Sequence, residues 1–249
     1  MRSRKLSQNS NDYWKKAGEV GYENTYFRNK LVSNHILGKS WKTAIDIAND
    51  IGATSSDCVL DLGCGDGSFA NTILAKHFRT VYGFDKSVSA IARSKMNAQT
   101  NNVHFEVVDL LDLDFDRWGS LNYGCAFLIG ILHHVKSVAP SIVSRMVKIA
   151  PRVVVIEPNG KHLLRKLLEL TPSYRAAGEE SFSFTQISNI FRQSGYELKF
   201  HRRFNLFPNR IPESIFCLLL PWEHYFEERQ WLRHFLTADG YGFIAKNSP

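Results

Sequence analysis

The sequence lacks the features that mark secreted, membrane-spanning and thiolate-metal proteins. Its 249 residues include four cysteines and no C-x-x-C pair, so neither a disulfide framework nor a zinc site is indicated. No apolar run approaches the ~18–20 residues that span a bilayer, and the basic N-terminus Met1–Lys16 has no apolar core of the signal-peptide type. We expect a reducing, cytoplasmic location and no metal site.

The composition also disfavours disorder and a function driven by charge alone. Hydrophobic residues make up 44% of the chain and charged residues 22%, as in a folded domain. The 31 basic residues against 24 acidic residues leave a net charge of +7. A surplus of this size favours solubility over nucleic-acid binding, and contact with an anionic membrane surface stays open.

Short β-branched runs alternate with segments of helical spacing along the chain. The runs occupy residues 57–63, 80–84, 103–108, 124–129 and 152–156, with later strands predicted at 197–204 and 241–245. Helical spacing occurs at residues 29–52, 68–77, 88–96, 138–149, 163–170 and 185–193. This alternation predicts an α/β fold with a doubly wound, mostly parallel sheet and helices on both faces.

A glycine-rich turn and two aspartates follow three of the predicted strands. Asp61 precedes the turn Gly63–Gly67, whose alternate glycines let the backbone approach a ligand without a Cβ clash. Ser68 stands where a dinucleotide fingerprint has its third glycine, which argues against a nicotinamide oxidoreductase. Asp85 lies roughly 20 residues beyond the turn, where a carboxylate can accept from ribose hydroxyls, and Asp109 ends the next strand. Each aspartate alone is equally well explained as a helix cap or a solvated loop residue.

The stretch Val59–Gly67 resembles the first motif of the class I S-adenosylmethionine-dependent methyltransferases. The resemblance extends over Cys58–Phe204 and the closing strand. It implies a Rossmann-like, seven-stranded sheet with an antiparallel last strand. It further implies an N-terminal helical cap at residues 1–52 and a methyltransferase domain at residues 53–249, with a substrate-specifying insertion at about 205–240. S-adenosyl-L-methionine is the implied cofactor.

The resemblance assigns roles to the cofactor-binding residues one by one. Asp61 and the glycine turn would hold the methionine end of the cofactor, Asp85 the ribose, and Asp109 with Leu110 the adenine. The complete set that the resemblance implies is Asp61, Gly63, Cys64, Gly65, Gly67, Asp85, Lys86, Asp109, Leu110 and Ile129. Such residues lie near the carboxyl ends of predicted strands, where open α/β sheets bind ligands.

Candidate catalytic residues follow the fourth and fifth strands. The segment Ile129–His134 resembles the family's segment after its fourth strand. A neutral histidine can take a proton from a hydroxyl acceptor, which makes His133 and His134 candidate bases. The alternative is a buried loop histidine beside a surface one. Glu157 is a candidate for contacting the substrate, and its alternative role is to cap the segment that begins at Lys161.

Two departures from the family concern the substrate. Many relatives begin the fourth strand with an aspartate, whereas this chain has Asn122–Gly124 there, so substrate positioning at that edge stays open. The Asn-Pro-Pro-Tyr element of enzymes that methylate the exocyclic amines of bases is absent. Its absence disfavours a nucleic-acid substrate.

The C-terminal third is expected to set the substrate. It contains an aromatic stripe formed by Trp222, Tyr225, Phe226, Leu232, Phe235 and Leu236. The stripe is either ordinary core or, with the basic segment Leu163–Leu168, a hydrophobic acceptor pocket or an attachment to an anionic bilayer. The aromatic segment Trp14–Phe27 is predicted to fold over the cofactor as a lid.

We therefore expect an S-adenosylmethionine-dependent methyltransferase that acts on a small molecule by in-line transfer. A lipid-like, quinone or glycan-pathway intermediate would fit as the acceptor. Peripheral contact with the inner face of a membrane is a further expectation, whereas a nucleic-acid partner is not expected. Two alternatives stay open: an RNA methyltransferase, and a catalytically inactive module that binds S-adenosylmethionine.

Overall fold

The computed structural model describes residues 29–112, 123–162 and 181–246, together with residues 21, 26, 27, 118 and 121. The helix predicted at 163–170 lies outside the described residues, as does the lid predicted for Trp14–Phe27, apart from Gly21, Tyr26 and Phe27. Within the described residues, none of the helices combines the length and apolar content needed to cross a bilayer.

The first half of the chain alternates strands and helices as expected. Its elements are α1 (Lys30–Asp50), β1 (Cys58–Leu62), α2 (Ala70–Leu74 followed by Ala75–His77), β2 (Thr80–Asp85), α3 (Val88–Met96), β3 (Val103–Val107) and β4 (Cys125–Ile129). Asn29 caps α1 and Ser87 caps α3, since their side-chain oxygens accept from backbone N–H groups one turn on. The first part of α2 is π-helical rather than α-helical.

The second half continues the pattern and then changes character. Its elements are a 3₁₀ turn (Leu132–His134), α4 (Ala139–Met146), β5 (Arg152–Pro158), α5 (Phe184–Gln193), β6 (Tyr196–Phe204), α6 (Glu213–Leu219), a 3₁₀ turn (Leu220–Trp222), α7 (Glu223–Glu228), a 3₁₀ helix (Gln230–Phe235) and β7 (Ala238–Ala245). The sequence between β6 and β7 is therefore a chain of short helices, within the insertion expected at about 205–240.

The seven strands form one sheet in the order β3-β2-β1-β4-β5-β7-β6. Strands β1 to β5 are parallel, whereas β7 runs antiparallel to both β5 and β6. This confirms the predicted Rossmann-like fold with its antiparallel last strand. The strand order reverses between β1 and β4, so the carboxyl ends of these strands border the crevice in which such sheets bind ligands.

The sheet is buried on both faces, which explains its continuous apolar runs. Alternate residues of β1 enter different cores: Leu60 packs with α4 and α5, and Val59 packs with α1 and α2. Helix α1 contributes Ile47 and Ala48 to the second core. The described part of the region expected to be an N-terminal cap thus shares the core of the sheet, and the division at residue 52 stays a prediction.

The aromatic stripe between β6 and β7 is not a buried face. Trp222, Tyr225 and Phe235 are exposed, whereas Leu232 and Leu236 are buried. The residues of α7 that turn inward are instead Glu223 and Glu227. The interpretation of the stripe as ordinary core is therefore confirmed for Leu232 and Leu236 and wrong for Trp222, Tyr225 and Phe235. The inner positions of α7 belong to Glu223 and Glu227.

Candidate active site

The glycine turn after β1 adopts a backbone that other residues rarely take. Gly63, Gly65 and Gly67 have φ angles of 76°, 56° and 74°, in the left-handed region that favours glycine. The N–H groups of Gly63 and Cys64 both donate to the carbonyl oxygen of Phe84, at 2.7 and 3.0 Å. These bonds fix the turn against the carboxyl end of β2.

The turn also packs too closely for side chains at two of its glycines. A Cβ on Gly63 would lie 2.5 Å from Cγ1 of Ile131, and one on Gly67 would lie 2.6 Å from Cβ of Ser94 and 2.8 Å from the Phe105 ring. The turn therefore contacts the segment that follows β4, where the candidate bases lie. The strand ends of β1 and β4 form one site.

Asp85 joins the end of β2 to the glycine turn. Its Oδ2 accepts from the Gly65 N–H at 3.0 Å, and its Oδ1 accepts from the Ser87 N–H at 2.8 Å. Burial raises the pKa of Asp85, and these backbone hydrogen bonds offset part of that rise. A carboxylate can accept about four hydrogen bonds, so Asp85 keeps capacity for ribose hydroxyls.

Asp61, the last acidic residue before the turn, is 3% exposed, and its buried Oδ2 has no hydrogen-bond partner. Burial, followed by the negative charge of Asp85, raises the pKa of Asp61 to about 7. A buried carboxylate oxygen without a donor is costly. The arrangement fits a ligand that brings a positively charged donor, such as the amino group of a methionine moiety, and so fits S-adenosylmethionine.

The remaining cofactor candidates lie where the strand pattern placed them. Asp109 follows β3, is half-buried, and accepts from the Leu111 N–H at 3.0 Å, whereas Leu110 is buried in the core. Lys86 is exposed just after β2, and Ile129 is half-buried at the end of β4. Their roles toward the adenine and the rest of the cofactor stay predictions.

His133 and Glu157 form a buried pair at the ends of β4 and β5. Nδ1 of His133 lies 2.7 Å from Oε2 of Glu157, and Oε1 of Glu157 accepts from the Leu132 N–H at 2.8 Å. Glu157 is 1% exposed and His133 is nearly as buried. At the start of the segment that begins at Lys161, Oδ1 of Asn159 accepts from the Lys161 N–H, and the alternative role of Glu157 as a cap stays a prediction.

His134 lies against His133, with ring centroids 3.9 Å apart, and is half-buried. The segment that carries both histidines turns at Gly130, where φ is 66° and the N–H donates to the Ile156 carbonyl at 2.7 Å. The structure therefore brings both predicted bases and Glu157 to the same edge of the sheet, beside the glycine turn.

A buried charged group on the neighbouring strands was not predicted from the sequence. Asp239 of β7 is paired in register with Glu157 on one side and Arg203 on the other. Its Oδ1 accepts from Nε2 of His201 at 2.8 Å and from Nε of Arg203 at 3.0 Å. Alternation of His201 and Arg203 along β6 was the available signal, since residues two apart share a face.

Comparisons with known proteins agree with this geometry. The family described as "Methyltransferase domain" matches residues 53–195. The 23S rRNA (uracil(1939)-C(5))-methyltransferase RlmD of Aeromonas salmonicida (strain A449) is 32% identical over 116 residues, which are 46% of this chain and 26% of that protein. The match therefore spans only about a quarter of that relative's length.

Solved methyltransferases share the fold along most of the chain. Magnesium protoporphyrin IX methyltransferase from Synechocystis PCC 6803, with bound SAH, is 17% identical, covers 94% of this chain and 97% of its own, and has a TM-score of 0.63. The N-methyltransferase NodS from Bradyrhizobium japonicum WM9 is 11% identical, with 85% and 97% covered and a TM-score of 0.56. Since the family match spans more than half of the sequence, the chain belongs to the methyltransferase-domain family, within the class I S-adenosylmethionine-dependent methyltransferases.

Proposed function

We propose that this enzyme methylates an oxygen atom of a small-molecule acceptor, with His133 as the general base and Glu157 as the residue that positions it. The observation that carries the proposal is the 2.7 Å contact between His133 Nδ1 and Glu157 Oε2. His133 lies on the segment that contacts the cofactor turn through Ile131, and Glu157 lies near the end of β5.

S-adenosylmethionine supplies a methyl group that its sulfonium already activates. The enzyme's own residues therefore have two tasks: to hold the acceptor oxygen in line with that methyl group and to accept the proton that the oxygen loses. An ionised Glu157 only accepts hydrogen bonds, so Nδ1 of His133 carries a proton. Nε2 is then the nitrogen that takes the acceptor's proton as the oxygen–carbon bond forms.

The exclusion of water from this edge of the sheet supports the same reaction. Glu157 and His133 are both buried, and the β strands beneath them are apolar. In such surroundings the interaction between the carboxylate and the imidazole is stronger than it would be in water. The residue pair thus suits an acceptor hydroxyl, which is a weak nucleophile unless a base takes its proton, better than a neutral amine, which attacks without prior loss of a proton.

The ribosomal RNA relative favours one competing function, methylation of RNA. Its 32% identity covers 26% of that enzyme, and the net charge of +7 is compatible with a nucleic acid. The absence of the Asn-Pro-Pro-Tyr element disfavours methylation of the exocyclic amines of bases, but it does not bear on a carbon acceptor such as the C(5) position in that relative's name. An RNA methyltransferase would bind RNA with an affinity that falls steeply with salt concentration.

Transfer of a radiolabelled methyl group separates the two acceptor classes. The enzyme is incubated with labelled S-adenosylmethionine and either the organic-solvent extract of cells or purified total RNA. We expect label in the extract and in products that retain it as a methyl ether or a methyl ester. Incorporation of label into RNA, from which ribonuclease releases it, with no label in the extract, would contradict the small-molecule proposal.

The base is tested with His133→Asn and Glu157→Gln, with the exposed His77→Asn as the control. Both test variants should lower kcat by about 10²–10⁴-fold, as loss of general base catalysis does. Their affinity for S-adenosylmethionine should stay within about threefold of the parent, because neither residue is assigned to the cofactor. An unchanged kcat in His133→Asn would show that the pair has a structural role and that His133 is not the base.

A further inference from the structure

The segment between β6 and β7 displays an unusual amount of apolar surface. Its exposed large apolar side chains are Ile215, Leu218, Leu219, Leu220, Trp222, Tyr225, Trp231 and Phe235. We call this set the apolar face. Leu218 is 71% exposed and Trp231 is 64% exposed, values typical of side chains that meet a partner. The rest of the described chain exposes large apolar residues singly, at scattered positions.

Buried side chains on the inner side of α6 and α7 anchor the apolar face to the rest of the protein. Phe216, Glu223 and Glu227 recur at helical spacing and are all buried, while Leu218 and Tyr225 lie on the opposite side. Phe216 packs edge-on against Phe207 and against His35 of α1. The short helices α6 and α7 therefore present a fixed outer surface.

An ion-pair network fixes α7 to α1. Nζ of Lys39 lies 2.8 Å from Oε2 of Glu223 and 2.7 Å from Oε1 of Glu227. Nε2 of His35 lies 2.8 Å from Oε2 of Glu223, and the remaining Glu223 oxygen accepts from the Leu206 N–H. The two inward acids thus share the charge of Lys39, and Arg202 lies 3.9 Å from the other oxygen of Glu227.

The charge that remains on the outside is mainly basic. Arg210, Arg229 and Arg233 are exposed beside the apolar face, and the Arg229 guanidinium lies 5.0 Å from the centre of the Tyr225 ring. The exposed acids are engaged locally, with Glu213 hydrogen-bonded by Asn29 and Glu228 paired with His224. The border of the apolar face thus carries three exposed arginines against the two exposed glutamates, a small net positive charge.

The apolar face lies next to the candidate active site. Asn159 Nδ2 donates to the Leu236 carbonyl at 2.9 Å, and a His162 ring nitrogen contacts the Phe235 carbonyl at 3.1 Å. Asn159 is two residues beyond Glu157. A surface that binds to the apolar face would therefore stand beside the end of β5.

We propose that the apolar face docks on the surface of an anionic lipid bilayer. Leucine side chains would enter the boundary between headgroups and acyl chains, where tryptophan and tyrosine rings are favoured. The arginine border would contact anionic headgroups, each cation adding to the attraction. The exposed arginines beside the apolar face favour this occupant over a neutral apolar protein surface.

Vesicle binding tests the proposal with the full chain and needs no turnover, so its result is independent of the acceptor class. The probe is a sedimentation assay with phosphatidylcholine vesicles that contain roughly a third phosphatidylglycerol, compared with phosphatidylcholine alone. We expect the triple variant Leu218→Ser, Trp222→Ser, Trp231→Ser to bind about 100-fold more weakly, because three large apolar side chains lose their burial. The control is Met96→Ser with Leu121→Ser, two exposed apolar residues outside the apolar face.

The charge border and the position of the contact have separate readouts. Arg229→Glu with Arg233→Glu should remove the preference for anionic vesicles while leaving affinity for S-adenosylmethionine unchanged. Cys217 is exposed in α6, whereas the other three cysteines are buried, so a polarity-sensitive dye on Cys217 reports this face directly. Its emission should shift to the blue on anionic vesicles.

Two results would overturn the proposal. The first is equal vesicle binding by the parent and the triple variant, with no change in the dye. The second is a parent protein that does not bind vesicles and is a dimer in light scattering, together with a triple variant that is a monomer. In that case the apolar face binds a second copy of the chain. Unchanged affinity for S-adenosylmethionine shows that the triple variant is folded.

Discussion

At the scale of single residues, Asp61 is placed to sense both pH and cofactor. Its pKa of about 7 is above the usual value, so the folded, cofactor-free protein holds this proton more tightly than the unfolded chain does. The stability that follows is present below about pH 4 and is lost as the pH rises through about 7. The loss is on the order of 4 kcal/mol, at about 1.4 kcal/mol for each unit of pKa.

A first prediction follows for Asp61→Asn. A cationic amino group stabilises the ionised form of the Asp61 carboxylate. The parent should therefore bind S-adenosylmethionine more tightly at about pH 8 than at about pH 6. The variant should bind weakly at both, and without cofactor it should melt at a higher temperature than the parent at about pH 8. Titration calorimetry and thermal unfolding measure the two effects. Asp46→Asn, at an exposed aspartate, should change neither, and a pH dependence retained in Asp61→Asn would refute the assignment.

The residues of the site differ in how far the sequence could predict them. The glycine turn and Asp85 were predictable, because their spacing encodes local backbone geometry. The contact between Glu157 and His133 was not predictable. The two residues are 24 positions apart, and only the pairing of β4 with β5 brings them together. The unpartnered oxygen of Asp61 was equally hidden, because alternation gives the face of a side chain but not its hydrogen bonds.

At the scale of elements, the glycine turn depends on backbone space. We predict that Gly67→Ala loses at least about tenfold in cofactor affinity and about 1–3 kcal/mol of stability, because a φ of 74° is strained for alanine and its Cβ would meet Ser94 and Phe105. Gly38→Ala is the matched control, in the middle of α1 with nothing within 4 Å of the added Cβ. It should stabilise the protein by about 0.5–1 kcal/mol. Urea unfolding and calorimetry check both, and equal behaviour of the two variants would contradict the account.

The link between α7 and α1 gives a second prediction at this scale. Burial alone would raise the pKa of Glu223, but hydrogen bonds from Lys39, Leu206 and His35 lower it overall. The depressed pKa means that stability is present above about pH 4.3 and is lost as the pH falls through the folded value. Glu223→Gln should cost about 2–4 kcal/mol at neutral pH, and the difference from the parent should close in acid.

Glu228→Gln, on the same helix but exposed, is the control and should change stability by less than about 1 kcal/mol. Urea unfolding at several pH values provides the measurement. A cost for Glu223→Gln that does not vary with pH would show that ionisation of this glutamate does not stabilise α7.

The elements also show where the sequence misled. The central strands of the sheet carry continuous apolar runs. The predicted bounds of the strands agree with the structure to within two residues, except that β7 begins at Ala238, three residues before its predicted start. The segment between β6 and β7 reverses the usual burial of apolar residues and exposure of charged ones. Glu223 and Glu227 are buried, whereas Trp222 and Tyr225 are exposed. Hydrophobic spacing gives the same stripe for either orientation, and only the cations of α1 reveal which side faces inward.

At the scale of the whole molecule, the site is assembled from strand ends that are distant in sequence. β1 and β4 come together at the reversal of strand order, and β5 and β7 bring Glu157 and Asp239 alongside. A ligand that joins these ends binds the folded state alone, so it should raise the unfolding temperature as its concentration exceeds Kd. The fold therefore couples cofactor binding to the stability of the whole sheet.

The most direct test is calorimetric titration of the purified protein with S-adenosylmethionine and its demethylated product, with NADH as the control ligand. We expect micromolar binding of the first two, about −8 kcal/mol at 25 °C, no binding of NADH, and a loss of at least about 100-fold in Asp85→Ala. Absence of S-adenosylmethionine binding, or equal binding by Asp85→Ala, would contradict the assignment of the cofactor to the glycine turn.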